Sequence, residues 1–139
     1  MNETVNLHLP QFEASDRIHH DDFNDAFAAI DAAVPRIETG TYIGTGESGS
    51  AKPNTLTFDF VPKIIFITKE TPTYTDYRTY LLHGCTAALV NEYLGSIING
   101  ITWNDAEHSV QWYSNARDSF GAEAQMNEDN VIYHYLAIG

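Results

Sequence analysis

The chain has 139 residues, 43% of them hydrophobic, with eight tyrosines, seven phenylalanines and two tryptophans, which is enough apolar material for a packed core and excludes wholesale disorder. Nineteen acidic against seven basic residues give a formal charge of −12. Such a surface repels phosphate backbones and anionic lipid, and no apolar run approaches the ~20 residues of a membrane span, so nucleic acid and membrane insertion are excluded.

The first residues, MNETVNLHLPQF, lack a basic segment followed by an apolar one, so no secretory signal is expected and synthesis is placed in a cytoplasm. Residues 1–19 read as an extended arm: Leu7, Leu9, Phe12 and Ile18 are irregularly spaced and Pro10 breaks any helix. Ile18, just before the next element, is placed to staple onto the first turn of a helix.

That helix spans His20 to Ile37 as a segment, HDDFNDAFAAIDAAVPRI, with Phe23, Phe27, Ile30, Val34 and Ile37 at steps of four, three, four and three. The spacing sets them on one narrow stripe, the seam expected when helices pack in a heptad pattern, and Ala26 and Ala33 allow close approach beside it. Asp21 or Asp22 can accept a first-turn amide, and Asp22 and Asp25 put negative charge at the positive end of the helix dipole. Pro35 removes a donor and biases Val34 towards an extended backbone, so the helix itself ends near Ala33 or Val34, with Ile37 on the stripe only by coincidence. A helix this short needs an apolar partner. Either the chain's own core or other copies of the helix can supply it, and the spacing does not decide between them.

From Thr39 onwards the texture is that of a sheet protein. GTYIGTGESGSAKPN gives a short strand (Thr39 to Ile43) running into a loop. In TLTFDF, Leu56, Phe58 and Phe60 alternate with polar residues as in a half-buried strand, whereas the continuous apolar run of KIIFIT predicts a strand covered on both faces. Residues 70–78 form a polar loop bearing tyrosines, and the period of TYLLHGCTAALV and YLGSIINGI is ambiguous. ITWND and SVQWYS flank AEH as a hairpin carrying Trp103 and Trp112. A turn at Asn127 to Asn130 leads into a last strand paired to its end at Ile138-Gly139, with Tyr133, Tyr135 and Ala137 on one face. About eight short strands at these turn spacings make an all-β sandwich or barrel. The expected fold is therefore mainly β: an extended arm (1–19), a helix segment (20–37) and a β-sandwich head (38–139).

The elements NLHLPQFEASDRIHHDDFNDAFAAID, with Leu9 to Glu13, Asp16 to Ile18 and Asp22 to Asn24 as the matching motifs, resemble the N-terminal segment of tail-fibre or receptor-binding-like proteins encoded by phages and prophages of gut Gram-positive bacteria. GTYIGTG, PNTLTFDFVPKIIFI, ITWND, VQWYS and QMNEDNVIYHYLAIG look like the C-terminal domains of such fibres, so the likeness covers most of the chain outside Glu70 to Gly100. It implies a non-enzymatic virion component made in the host bacterial cytoplasm. The arm would anchor it to baseplate or tail-tip proteins, the helices would gather as a homotrimeric coiled coil, and the head would serve host-surface adhesion or tail assembly.

Other chemistry is weakly signalled. His19, His20, Asp21 and Asp22 are four potential metal ligands in a row, but neighbours at a helix start diverge, and capping is the preferred reading. His83 and Cys85 share a strand face too far apart for a catalytic dyad, and Cys85 reads as a buried small apolar group. Phosphate-cradling loops and nucleophile elbows are absent, so neither a cofactor nor catalysis is expected. Carboxylate pairs such as Asp105/Glu107 or Glu128/Asp129 fit polar turns. Trp103, Trp112 and Tyr113 on strands fit core packing. Tyr74, Asp76, Tyr77, Arg78 and Tyr80 combine aromatic faces with planar polar groups and are the candidate site for a host cell-surface glycan, against the plainer reading that these tyrosines cover an interface or core. The rivals to a fibre are a monomeric lectin-like carbohydrate-binding module, whose helix would pack on its own sheet, and a hydrolase of cell-surface polymers.

Overall fold

The computed structural model describes residues 2–72, 78–91, 96–117 and 120–139 and comprises two compact units, Met1–Pro35 and Arg36–Gly139. The protein is mainly β.

In the first unit, the expected extended arm instead folds back on itself. β1 (Asn2–Glu3) pairs antiparallel with β2 (Pro10–Gln11). The turn between them is closed by Thr4, whose N–H donates to the Leu9 carbonyl at 2.9 Å and whose Oγ1 accepts the Leu9 N–H at 3.0 Å. Pro10 is tolerated because a two-stranded ladder leaves its missing donor on an open edge. The helix α1 runs from His20 to Ala33. His19 is extended before it (φ −102°, ψ 152°), and the Asp22 carboxylate accepts the His19 N–H at 2.9 Å, so the acidic first turn both caps the helix and complements its dipole. At the far end the Val34 N–H still reaches the Ile30 carbonyl at 3.1 Å, but Val34 itself is extended, as a residue before proline must be. The aromatic staple comes from Phe12, whose ring centroid is 5.6 Å from that of Phe23, which stacks in turn on Phe27 at 6.4 Å. Ile18 was the expected staple and is exposed. The segment 20–37 is not helical throughout: Ile37 opens a strand, so it does not extend the α1 stripe.

The second unit is built from β3 (Ile37–Ile43), β4 (Asn54–Thr57), β5 (Ile64–Lys69), β6 (Arg78–Leu82), β7 (Ala88–Asn91), β8 (Ser96–Ile98), β9 (Gly100–Asn104), β10 (Ser109–Tyr113), α2 (Phe120–Ala124) and β11 (Ile132–Ile138). A four-stranded antiparallel sheet has the order β3-β11-β5-β6, a three-stranded one the order β4-β10-β9, and β7 pairs with β8. The hairpin ITWND/SVQWYS is β9–β10, with Trp112 opposite Ile101. β11 is paired to its end, Ile138 facing both Ile37 and Ile64, and the Arg36 and Gly139 backbones exchange hydrogen bonds beyond it.

Alternation along each strand decides what is inside. Ile65, Ile67, Leu81, Tyr133 and Ala137 of the larger sheet join Ile101, Val110 and Trp112 of the smaller one in a shared core. Phe58 and Phe60 keep their alternation after β4 has ended at Thr57 and are buried in the same core. KIIFIT departs from the expectation of a strand covered on both faces: in β5, Ile65 and Ile67 point into the core, while Phe66 is exposed and Ile64 half-exposed on the opposite side.

The segment after α2 binds this core to the loop before β4. Gln125 is fully buried with every side-chain polar atom paired. Its Oε1 accepts the N–H groups of Gly49 and Ser114 at 2.8 and 3.1 Å, and its Nε2 donates to the Lys52 carbonyl at 2.7 Å and Asn54 Oδ1 at 3.1 Å. Two residues on, Asn127 Oδ1 accepts the Thr45 N–H at 3.0 Å, while its Nδ2 donates to Thr45 Oγ1 and the Glu47 carbonyl. The Trp112 indole N–H donates to the Gln125 carbonyl at 2.9 Å. The loop GTGESGSAKPN is thus ordered by two amide side chains that replace the ladder partners it lacks.

Candidate functional site

The α1 stripe forms on one helix face as its spacing requires, but no residue of α1 is buried. Exposure of the stripe runs from 38% at Ile30 through 44% at Phe23 and 59% at Val34 to 64% at Phe27. An amphipathic helix whose apolar side faces water lacks the partner from which such helices draw most of their stability.

Of the candidate glycan residues, Tyr74, Asp76 and Tyr77 lie outside the described residues. Arg78 and Tyr80 stand on the same side of β6, facing away from the core. The Tyr80 ring leans on Phe66 of the adjacent strand, centroids 6.3 Å apart. Tyr80 is therefore part of a larger apolar surface, the outer face of the four-stranded sheet. Ile37, Ile138, Ile64 and Leu82 make one row across all four strands, and Leu136, Phe66 and Tyr80 continue the next, beside Thr39. At the sheet's edge Ile37 and Ile43 are 65% and 63% exposed. The three-stranded sheet is the opposite case: its outer face carries Thr55, Gln111 and Thr102 in register, all exposed. Reading individual strands one at a time does not reveal the apolar face, because the rows exist only once the register is known.

Beside β3 and β4 lies an open cleft of about 400 Å³, lined by Tyr42, Asn54, Trp112 and Asn127 and flanked by Lys52 and Glu47. Its inner polar groups already have partners. Tyr42 Oη donates to the Met126 carbonyl at 2.7 Å, and Asn54 Nδ2 donates to the carbonyls of Gln125 and Met126. Lys52 Nζ and Glu47 Oε1 pair at 3.1 Å, both about half exposed. Burial pushes the Tyr42 phenol well above its ordinary range, and the neighbouring Tyr133, stacked 5.1 Å away, adds to the shift. Tyr42 is thus a neutral donor and core wall.

Cys85 is exposed, contrary to its reading as a buried apolar group, because β6 ends at Leu82 and the chain turns at Gly84 with φ +87°. It therefore shares no strand face with His83. His83 lies over the Trp103 ring, centroids 4.9 Å apart, with its Nε2 2.8 Å from Asp105 Oδ1, and Trp103 Nε1–H donates to the Cys85 carbonyl. These contacts fasten the turn after β6 to the β9–β10 hairpin. Trp112 is core, as its strand position predicted, and Trp103 is half-buried against it. Tyr113 lies over Gly100, where a side chain would occupy the ring's place. The stretch His19 to Asp22 serves capping and one exposed His20–Asp21 pair, and among the described residues no group of three or more His, Cys, Asp or Glu is gathered as a metal site.

A scan against protein-family models finds no match to the chain, and neither a search of curated proteins nor one of solved structures finds one.

Proposed function

We propose that the protein is a structural phage tail-fibre or tail-tip component, a homotrimer acting in host-surface adhesion or tail assembly without catalysis. In this reading α1 supplies the three-fold coiled-coil core and the second unit is a β-sandwich head. The segment 1–19 docks on baseplate or tail-tip proteins, and a host cell-surface glycan is the ligand class for the head. The observation that carries it is the uncovered stripe Phe23, Phe27, Ile30 and Val34, an apolar seam on a helix too short to persist alone. The order of the sequence elements along the chain gives the reading its virion setting.

Absolute mass by light scattering tests it. The expected value is close to three times 15.5 kDa, falling to the single-chain mass when Phe27 and Ile30 are both replaced by Asp. A mass of 15.5 kDa at every concentration would overturn the trimer and leave the lectin-like module ahead.

A further inference from the structure

We infer that the outer face of the four-stranded sheet is a second contact surface between copies of this chain, so that the heads pack on one another as well as the helices. The inference rests on the homotrimer reading and adds to it the surface the heads would use.

The first observation is a contrast within one unit. Both sheets share a single core, yet the smaller one turns Thr55, Gln111 and Thr102 outwards while the larger one turns out two rows of aliphatic and aromatic side chains. A sheet written for water on its far side alternates apolar with polar residues, whereas one covered on both sides reads as a continuous apolar run. Ile64–Ile67 of β5 and Tyr135–Ile138 of β11 are runs of the second kind in strands that the single chain covers on one side only, and the face turns polar beyond them at Thr41, His134, Thr68 and Arg78.

Charge then favours the chain's own copy as the cover. At −12, two copies repel wherever their carboxylates meet, and the face is free of them. Asp and Glu are absent from its outward positions on β3, β11, β5 and β6, where Arg78 and His134 are the basic groups. Among the described residues, Glu70 lies beyond the end of β5, with its Oε1 3.4 Å from His134 Nε2.

Size and connectivity point the same way. Four strands at ~4.8 Å and two same-face rows, each two residue steps of ~3.3 Å deep, give an apolar area of about 250 Å² in projection. That is about a third of what one partner contributes to a standard interface, too little to hold two copies together unaided. Such a face suits an assembly held together elsewhere. Only Val34, Pro35 and Arg36 separate α1 from Ile37 at the corner of the face, a tether of ~10 Å at full extension. Copies gathered by their helices therefore keep these faces within reach of one another at high effective concentration.

The test uses the full chain. Phe66→Glu and Tyr80→Glu change exposed side chains on this face, and buried Trp112 fluorescence reports whether the core stays intact. The double variant is expected to dissociate at a concentration at least about tenfold higher than the parent chain does. Hydroxyl-radical footprinting of the unaltered protein avoids substitution: Phe66 and Tyr80 should be protected above the dissociation concentration and modified below it. A multimeric parent whose dissociation is unmoved by the double variant, with Phe66 and Tyr80 modified at all concentrations, overturns this face while the helix-held trimer stands. A parent chain that is monomeric throughout overturns both.

Discussion

Replacing Gln125 by Met tests whether the second unit is held by a buried polar knot as well as by its apolar core. Methionine keeps the length and nearly the volume of glutamine, so the change removes hydrogen bonds without opening a cavity. Four partners are released: the N–H groups of Gly49 and Ser114, the Lys52 carbonyl and Asn54 Oδ1. Ser114 is 1% exposed, so its N–H bears the full cost of an unpaired buried donor, about 1–3 kcal/mol. Gly49 and Lys52 lie on a surface loop and can turn to water, leaving roughly 0.5–1 kcal/mol each. With a similar ~0.5–1 kcal/mol for the Asn54 oxygen the total comes to about 2.5–6 kcal/mol. For a unit of about a hundred residues, at ~4 °C per kcal/mol, that is a fall in melting temperature of ~10–24 °C. Thermal unfolding followed by tryptophan fluorescence at fixed protein concentration measures it, since the Trp112 indole N–H bonds the Gln125 carbonyl. A fall under ~4 °C would refute the argument and mean that the apolar contacts order the loop by themselves.

Two glycines should respond in a predictable order. A Cβ at Gly44 would collide with the Glu128 backbone carbonyl, whereas at Gly40 it would meet the ring of Tyr135, which can move. Gly44→Ala should therefore cost several kcal/mol and Gly40→Ala about 1–2 kcal/mol, compared by chemical denaturation. Alkaline titration should show a specific onset of unfolding. Burial raises the Tyr42 and Tyr133 phenols above their ordinary value, so at high pH the unfolded chain releases protons that the folded one retains. The stability they contribute is complete below about pH 10 and declines as pH rises above it. Ultraviolet absorbance should show these two phenols ionising only together with loss of structure, and a smooth titration of every tyrosine in the folded state would contradict this.

Much of the architecture is legible in the sequence because its signals are local. The four-three spacing from Phe23 to Val34, the acidic first turn and Pro35 specify α1 almost to the residue, and the hairpin around AEH and the alternation of β11 follow from period-two patterning. The misreadings share a cause. The arm looked extended because its short ladder depends on a Thr4 side chain, and Cys85 looked buried because the end of β6 was not visible in an apolar stretch. Neither depends on hydrophobicity. Part of the candidate glycan site falls on Tyr74, Asp76 and Tyr77, outside the described residues, and Tyr80 proves to belong to an apolar sheet face whose rows are set by strand register.

From consecutive residues alone, the place of α1, β3, the β9–β10 hairpin and β11 follows, and so does the apolar side of the strands that alternate, because side-chain period is a local property; β6 to β8 and the inner side of β5 do not. Only the tertiary structure decided which of those sides are covered. It also made Gln125 and Asn127 the ties of the loop before β4 and left the α1 stripe and the outer face of the larger sheet open to water. Coverage depends on pairing between residues distant in the chain, such as Ile138 between Ile37 and Ile64, and no local pattern encodes that pairing.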